Sequence, residues 1–125
     1  MPDTVEKYNT VILPEAEKDI RGIALYITRQ FSAPDTALEL INDIQDTVNS
    51  LRENPYRILP VPEQPWHDRG VRRTLVKNYY VYFIIREDRK SVEAIAVIYA
   101  GRDQTRQMAE RLMRPVTYRI VHFQG

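Results

Sequence analysis

The sequence predicts an α+β domain in which a helical hairpin packs on one face of a small, mainly antiparallel sheet, in the order β-α-α-β-β-β-α. Apolar residues recur at steps of three and four over residues 14–31 and again over residues 35–51, which is the spacing of amphipathic helices. A short Ser-Ala-Pro-Asp link separates these stretches, so we expect two antiparallel helices. Three runs rich in β-branched and aromatic residues follow and predict the sheet.

The first half of the chain is predicted to hold one short strand and both helices. Residues 8–13 form the strand, and Pro14 opens the first helix, where its missing N–H costs nothing. Ser32 and Asp35 have the S-x-x-D spacing of a second helix start, and that helix ends at Asn54-Pro55 because a residue before proline avoids the helical region. The apolar stripes expected to face the sheet are Ala16, Ile20, Ile23, Ala24, Ile27 and Phe31, then Ala37, Ile41, Ile44, Val48 and Leu51.

The second half is predicted to hold a loop, three strands and a helix. Residues 54–70 contain four of the eight prolines and show no periodicity, which predicts a stiff loop. Strands are expected at residues 72–77, 79–86 and 92–99, and the third should be central because both of its faces are apolar. Asp103 is placed to cap a last helix over residues 104–113. One domain over residues 1–114 is therefore predicted.

Residues 115–125 form a C-terminal extension for which we predict a further strand. Val116, Tyr118 and Ile120 alternate with Thr117 and Arg119, and the composition is rich in β-branched and aromatic residues. Such a strand would pair with an open sheet edge, either in the same chain or in a second copy, and the latter would give a homodimer. The alternative is a frayed terminus.

Composition narrows the classes of function. The chain has no cysteine and two well-separated histidines, so we expect no metal site and no cofactor. The first ten residues lack the pattern of a signal peptide, and no apolar run is long enough to span a bilayer, which predicts a soluble, cytoplasmic protein without a membrane partner. Residues 1–53 carry ten acidic and five basic side chains, whereas residues 54–125 carry seven acidic and thirteen basic ones. This asymmetry either marks a face for an anionic partner or reflects scatter on solvated surfaces.

Three stretches resemble the RelE/ParE superfamily of bacterial toxins. PEAEKDIRGIALYI, residues 14–27, resembles the family's first helix, P-x-A-x-x-D-L-x-x-I-x-x-Y-I. GVRRTLVKNYYVYF, residues 70–83, resembles its hairpin, G-x-R-x-x-x-V-x-x-Y-x-V-x-Y, and VIYAGRD, residues 97–103, is similar to its final strand and H-x-x-R-D-like ending. The resemblance implies a growth-arresting toxin of a type II toxin–antitoxin module, often associated with plasmid stabilisation and held inactive by a cognate antitoxin. Members either inhibit DNA gyrase or cleave mRNA on the ribosome.

For the ribonuclease alternative, the resemblance implies metal-free catalysis by basic side chains on the hairpin and after the last strand, assisted by a tyrosine of the last helix. The candidate catalytic residues that match this pattern are Arg72, Arg73, Lys77, Tyr99 and Arg102. The match is partial, because Tyr80 stands where the hairpin arginine is expected and Met108 lies near the expected tyrosine. Each candidate also has a structural interpretation: Arg72 would tie the proline-rich loop to the sheet, and Arg102 would pair with a carboxylate.

The gyrase alternative needs no catalytic set, and the helical hairpin and the last helix resemble ParE, the gyrase-inhibiting branch, more than RelE. Its candidate partner-binding residues are Tyr80, Tyr82, Arg102, Met108 and Leu112. Tyr80 and Tyr82 share one strand face, where they would either stack on bases or pack in the core. His67 and Asp68 would form an acid–base pair only if their side chains met, although adjacent side chains of an extended chain point to opposite sides. Trp66 is expected to cover the core beneath the loop. A third interpretation is an inactive relative that binds antitoxin or takes part in DNA autoregulation.

Overall fold

The computed structural model describes residues 7–101 and 103–113 of the 125-residue chain. The elements are β1 (Asn9–Ile12), α1 (Pro14–Phe31), α2 (Pro34–Ser50), β2 (Arg72–Val76), β3 (Tyr79–Arg86), β4 (Ser91–Tyr99) and α3 (Gln104–Met108). α3 continues as a wider π-type turn, Ala109–Met113, and short 3₁₀ turns occupy Pro55–Arg57 and Glu87–Arg89. The predicted α+β order is confirmed, while the predicted strand in residues 115–125 lies outside the described residues.

The two helices begin with proline at their first turn, as the sequence predicts. The predicted S-x-x-D cap of α2 is wrong. Ser32 instead ends α1 in the left-handed conformation, with φ 50°, and Ala33 precedes α2 without a side-chain cap. In the described part of the chain, no helix combines the length and the apolar character needed to cross a membrane.

The main core lies between the helical hairpin and one face of the sheet. The predicted stripes supply most of it, and Ile44 of α2 is completely buried against Val81 of β3 and Val97 of β4. Phe31 departs from the prediction, because it is 65% exposed at the end of α1. Periodicity alone therefore overestimates how far the buried stripe extends toward the end of the helix.

The sheet is mixed, with strand order β1-β4-β3-β2. β4 pairs in parallel with β1 and antiparallel with β3, so the prediction of a central last strand is confirmed. Tyr82 pairs with Ala96 and Phe83 with Ala94, so Ile95 is one extra residue in β4. Such a bulge bends the strand and increases its twist.

A second apolar layer covers the other face of the sheet, which we call the loop face. Trp66 is 2% exposed there and packs with Val71 and Tyr82, so the expectation that it covers the core is confirmed. Met108 of α3 is completely buried in the same layer. The proline-rich loop is itself ordered by short-range turns, among them the bond from His67 N–H to the Glu63 carbonyl at 2.8 Å. The apolar character of both faces of β4 follows from this double cover.

Two predicted element ends differ from the structure. β2 ends at Val76, and Lys77 adopts φ 54° in the turn to β3, so it is a turn residue and not a strand residue. The last helix keeps α-helical geometry only over Gln104–Met108 before it widens. Element ends depend on turn geometry that apolar spacing does not record.

Candidate functional site

A groove runs between α1 and β4, with a cavity volume of about 950 Å³. Four aromatic side chains line it in two edge-to-face pairs: Tyr26 with Phe31 at 5.9 Å between ring centroids, and Tyr79 with Tyr99 at 5.6 Å. Tyr26 and Tyr99 are 56% and 45% exposed. We call this surface the aromatic groove. Clustered, uncovered rings are typical of surfaces that bind another protein segment.

The aromatic groove exists because β1 covers only half of β4. β1 pairs with residues 91–94, and no strand within the described ranges lies beside residues 95–99 on that side. The N–H of Val97 points to this side and donates to Asp19 Oδ2 of α1 at 3.0 Å. A carboxylate thus satisfies an N–H that a neighbouring strand would otherwise pair with, and the edge stays accessible.

Asp19 also joins α1 to the C-terminal segment. Its Oδ2 atom accepts from the Arg111 guanidinium at 2.5 Å, and the two side chains are only about one-fifth exposed. Arg111 lies in the π-type turn after α3, so this ion pair spans one end of the aromatic groove. A charge-assisted bond that is shielded in this way is stronger than an open surface pair.

The charged residues that line the aromatic groove are mainly basic. They are Lys18, Lys77 and Arg111, against one carboxylate, Asp19. Asp19 is already engaged by Arg111, and Lys77 Nζ lies 3.2 Å from Asp43 of α2. Two of the three cations are thus paired with carboxylates, and Lys18 leaves the groove with a small positive charge, which favours an acidic partner segment.

Arg73 is the centre of a polar network on the loop face. Its guanidinium donates to the Tyr82 hydroxyl at 3.3 Å, lies 3.6 Å from Glu63 Oε2 and sits 4.4 Å above the Tyr80 ring. The Tyr82 hydroxyl donates to Gln104 Oε1 at 2.6 Å, which links β3 to the first residue of α3. Hydrogen bonds and stacking thus occupy the Arg73 side chain, and the network ties together the loop, the sheet and α3.

The protonation states in this network are fixed by burial and charge. Burial raises the pKa of Tyr82, although the hydrogen bond and charge of Arg73 act in the opposite direction. Burial lowers the pKa of Arg73, but the Tyr82 hydrogen bond and the Glu63 carboxylate outweigh it, so the pKa rises. Tyr82 therefore remains a neutral donor and Arg73 a cation near neutral pH, and neither can act as a base.

Arg72 has the structural role that the sequence allowed for. Its Nη1 atom donates to the Ile58 carbonyl, and its guanidinium lies 5.0 Å from the centre of the Tyr56 ring. Both partners belong to the start of the proline-rich loop. Arg72 therefore ties that loop to β2 and points to different partners from those of Arg73.

The predicted site residues fall into separate groups. Arg73, Tyr80 and Tyr82 meet on the loop face, whereas Lys77 and Tyr99 line the aromatic groove. Tyr82 and Met108 are completely buried and expose no surface to a partner, and Leu112 is half-buried beside them. Arg102 lies outside the described residues.

The His67–Asp68 pair does not form. His67 Nδ1 lies 3.0 Å from the Val61 carbonyl, and the Asp68 carboxylate accepts from Gln64 at 3.1 Å. The two side chains thus bind different parts of the loop and stabilise its turns.

Sequence reasoning missed several residues that organise these sites, among them Glu63, Gln104 and Tyr26. Glu63 and Gln104 reach Arg73 and Tyr82 only through the fold, so no local spacing marks them. Tyr26 had a signal, because it stands in the first-helix pattern at a place off the buried stripe. An exposed tyrosine between buried isoleucines indicates a surface role.

The model of the ParE toxin of the type II toxin–antitoxin system parDE matches residues 11–104. The chain belongs to this toxin family. The match confirms the RelE/ParE resemblance and covers both helices and the complete sheet from Val11 onward. No curated protein sequence matches the toxin.

Two solved structures share the fold of the toxin. One chain of the chromosomal ParDE TA system from P. aeruginosa superposes with a TM-score of 0.60 at 18% identity, covering 76% of the toxin and 98% of that chain. One chain of the toxin–antitoxin complex RelBE2 from Mycobacterium tuberculosis superposes with a TM-score of 0.53 at 14% identity, covering 77% of the toxin and 95% of that chain. At identities this low, the superpositions establish a common fold and nothing beyond it.

Proposed function

We propose that this toxin arrests bacterial growth by inhibiting DNA gyrase, and that a cognate antitoxin holds it inactive in the cytoplasm. The observation that supports this target is the dispersal of those predicted catalytic cations that lie within the described residues. Lys77 pairs with Asp43 on the helical side of the sheet, whereas Arg73 pairs with Glu63 on the loop face. A metal-free ribonuclease needs its cations to converge on one phosphate, because each adds stabilisation only where charge develops.

The partners of the two arginines support the same choice. Arg72 is held by the Ile58 carbonyl and the Tyr56 ring, and Arg73 by Glu63, Tyr82 and the Tyr80 ring. A scissile phosphate would have to break these contacts before either guanidinium could bind it bidentately. Inhibition of gyrase requires a complementary surface instead of a catalytic set, and it is compatible with this arrangement.

The aromatic groove is the surface that we assign to the antitoxin. The two solved structures of similar fold are described as a ParDE toxin–antitoxin system and as a RelBE2 toxin–antitoxin complex. In this toxin, the uncovered rings of Tyr26 and Tyr99 lie within a rim that carries Lys18 and Lys77. An amphipathic antitoxin segment with apolar side chains and acidic neighbours would match both properties.

A gyrase assay with a ribosome control tests the target. Purified toxin is added to gyrase, relaxed plasmid and ATP, and, separately, to a ribosome programmed with mRNA. We expect loss of supercoiling and intact mRNA, and addition of the antitoxin should restore supercoiling. Codon-specific mRNA cleavage that is lost in Arg73→Ala would establish the endoribonuclease instead, since loss of one phosphate-stabilising donor typically costs about 10²–10³ in rate. No effect in either assay would indicate an inactive, antitoxin-binding relative.

Matched variants test the antitoxin surface independently of the target. Tyr26→Ala removes an uncovered ring of the aromatic groove, and Leu59→Ala removes a 76% exposed side chain from the proline-rich loop. We expect the first to weaken antitoxin binding by about tenfold or more, as for an aromatic hot spot, and the second to leave it unchanged. Titration calorimetry measures the antitoxin affinity of both variants. Equal affinities would show that the antitoxin does not bind at the aromatic groove.

A further inference from the structure

Two backbone groups of β4 point into the aromatic groove and are available to a strand. Ala100 N–H donates to the Asn78 carbonyl on the β3 side, whereas Val97 N–H donates to Asp19 on the opposite side. Because alternate residues of a strand direct their polar groups to the same side, the Val97 carbonyl and the Tyr99 N–H also point into the groove. Gln104 Nε2 bonds the Tyr99 carbonyl at 2.8 Å. An added strand would donate to the Val97 carbonyl and accept from the Tyr99 N–H, through one residue if it runs parallel to β4 and through two if it runs antiparallel.

The C-terminal segment of the same chain already borders this edge. Gln107 and Arg111 form one wall of the aromatic groove, and Arg111 is tied to Asp19. Met108, between them, is completely buried in the loop-face layer and so holds α3 in place beside the edge. Arg111, two positions before the last described residue, therefore still borders the groove, while Leu112 packs in the loop-face layer. The family match ends at residue 104, so this segment lies beyond the part of the chain that identifies the toxin.

The sequence that follows has the length and the pattern of a strand. Residues 116–123 read VTYRIVHF, in which Val116, Tyr118 and Ile120 alternate with Thr117 and Arg119. Eight extended residues span about 26 Å, while the uncovered half of β4, residues 95–99, spans about 16 Å. Over residues 116–120, alternation places Arg119 on the side away from Tyr118 and Ile120, so these two apolar side chains can face the rings while the charge faces away from them. Val121 and Phe123 share the side of Arg119.

We propose that residues 116–123 bind in cis along the uncovered half of β4 as a fifth strand, within the aromatic groove. The segment would bury the rings of Tyr26 and Tyr99 and satisfy the Val97 carbonyl and the Tyr99 N–H. If the antitoxin binds this groove, as the proposed function holds, it must displace the toxin's own C-terminal segment. The population of the docked segment then lowers the apparent affinity for the antitoxin.

Amide hydrogen exchange of the free toxin tests the docking without antitoxin or target, so its failure and the failure of the proposed function can be told apart. The exchange rate of the Tyr99 amide is compared between the full chain and a chain that ends at Pro115. We expect exchange about tenfold faster or more after truncation, with helix α2 unchanged as an internal reference. Equal rates in the two chains would overturn the proposal.

Point variants in the full chain cover the case in which truncation impairs folding. Ile120→Asp places a charge on the side of the segment that should face the groove, and Thr117→Asp places the same charge on the other side. We expect faster Tyr99 exchange in Ile120→Asp and native exchange in Thr117→Asp. Identical behaviour of both variants would contradict the proposed strand. Protection that grows with protein concentration, together with a dimer in light scattering, would also overturn it by showing that the segment of a second copy occupies the groove.

Discussion

On the loop face, Tyr82 and its neighbour Tyr80 are covered by Arg73 and the proline-rich loop, whereas at the aromatic groove Tyr26 and Tyr99 remain about half exposed. The two regions contain the same kinds of residue, tyrosines and basic side chains, but the tyrosines are covered in one region and about half exposed in the other. In the network, the Arg73 guanidinium and the Tyr82 hydroxyl have hydrogen-bond partners within the chain. In the groove, the described residues leave aromatic rings and a strand edge uncovered. The difference fits a loop face that stabilises the toxin and supports the proposal that the groove is the surface for its partner.

The two regions should differ most in how much the free energy of unfolding falls when a packed side chain is removed. Met108→Ala removes a completely buried side chain from the loop-face layer and should lower the free energy of unfolding by about 2–5 kcal/mol. Tyr26→Ala removes a larger but mostly exposed side chain and should cost less than about 1 kcal/mol. Urea denaturation measures both. Comparable losses would mean that the groove carries as much of the stability as the loop face, and the contrast between them would fail.

A smaller contrast is expected from single hydroxyl groups. Tyr82→Phe removes a completely buried hydroxyl together with its hydrogen bond to Gln104 Oε1, which should cost about 1–2 kcal/mol. Tyr26→Phe removes a hydroxyl from a ring that is mostly exposed, and we expect a change within about 0.5 kcal/mol. Each variant lacks one tyrosine hydroxyl group, so chemical denaturation compares the two sites directly. A neutral Tyr82→Phe would show that the Arg73 network does not stabilise the fold.

The smallest effect is expected at an exposed cluster that belongs to neither region. The carboxylate of Glu87 accepts from the hydroxyls of Tyr8 and Tyr56 at 2.6 Å each and lies 2.7 Å from Lys90 Nζ. The hydrogen bond from Lys90, followed by those from Tyr56 and Tyr8, lowers the pKa of Glu87 from 4.5 to about 2. The folded state therefore holds its proton less tightly than the unfolded state does, and the contribution of Glu87 is present above pH 4.5 and lost as the pH falls toward 2.

Comparison of Glu87→Gln with the native chain over this pH range measures that contribution. We expect the native chain to have the higher urea midpoint near neutral pH, and the gap to close as the pH falls from 4.5 to about 2. Added salt should narrow the gap, because the group is exposed and its charge interactions are screened. A gap that does not change with pH would show that the tyrosine hydroxyls bind the neutral amide of the variant as well as they bind the carboxylate.

Local patterns in the sequence were sufficient for the elements. The spacing of Ile20 and Ile27 predicted the buried side of α1, and the two apolar faces of residues 92–99 predicted the central strand. These predictions succeed because burial repeats with the period of the helix or strand and needs no knowledge of a distant partner. The same reasoning placed Phe31 in the core and Ser32 in a cap. Both errors lie at a helix end, where the chain changes direction and the period no longer applies.

Tertiary structure decided what those elements form together. The sequence placed Arg73 and Lys77 four positions apart on one predicted hairpin, yet the first pairs with Glu63 and the second with Asp43, on opposite sides of the sheet. It likewise gave no sign that β1 would cover only half of β4, or that Asp19 and Arg111 would meet across the remaining edge. Side-chain direction and strand register depend on contacts between residues far apart in the chain. A local pattern can therefore determine what is buried, but the fold alone determines which groups meet.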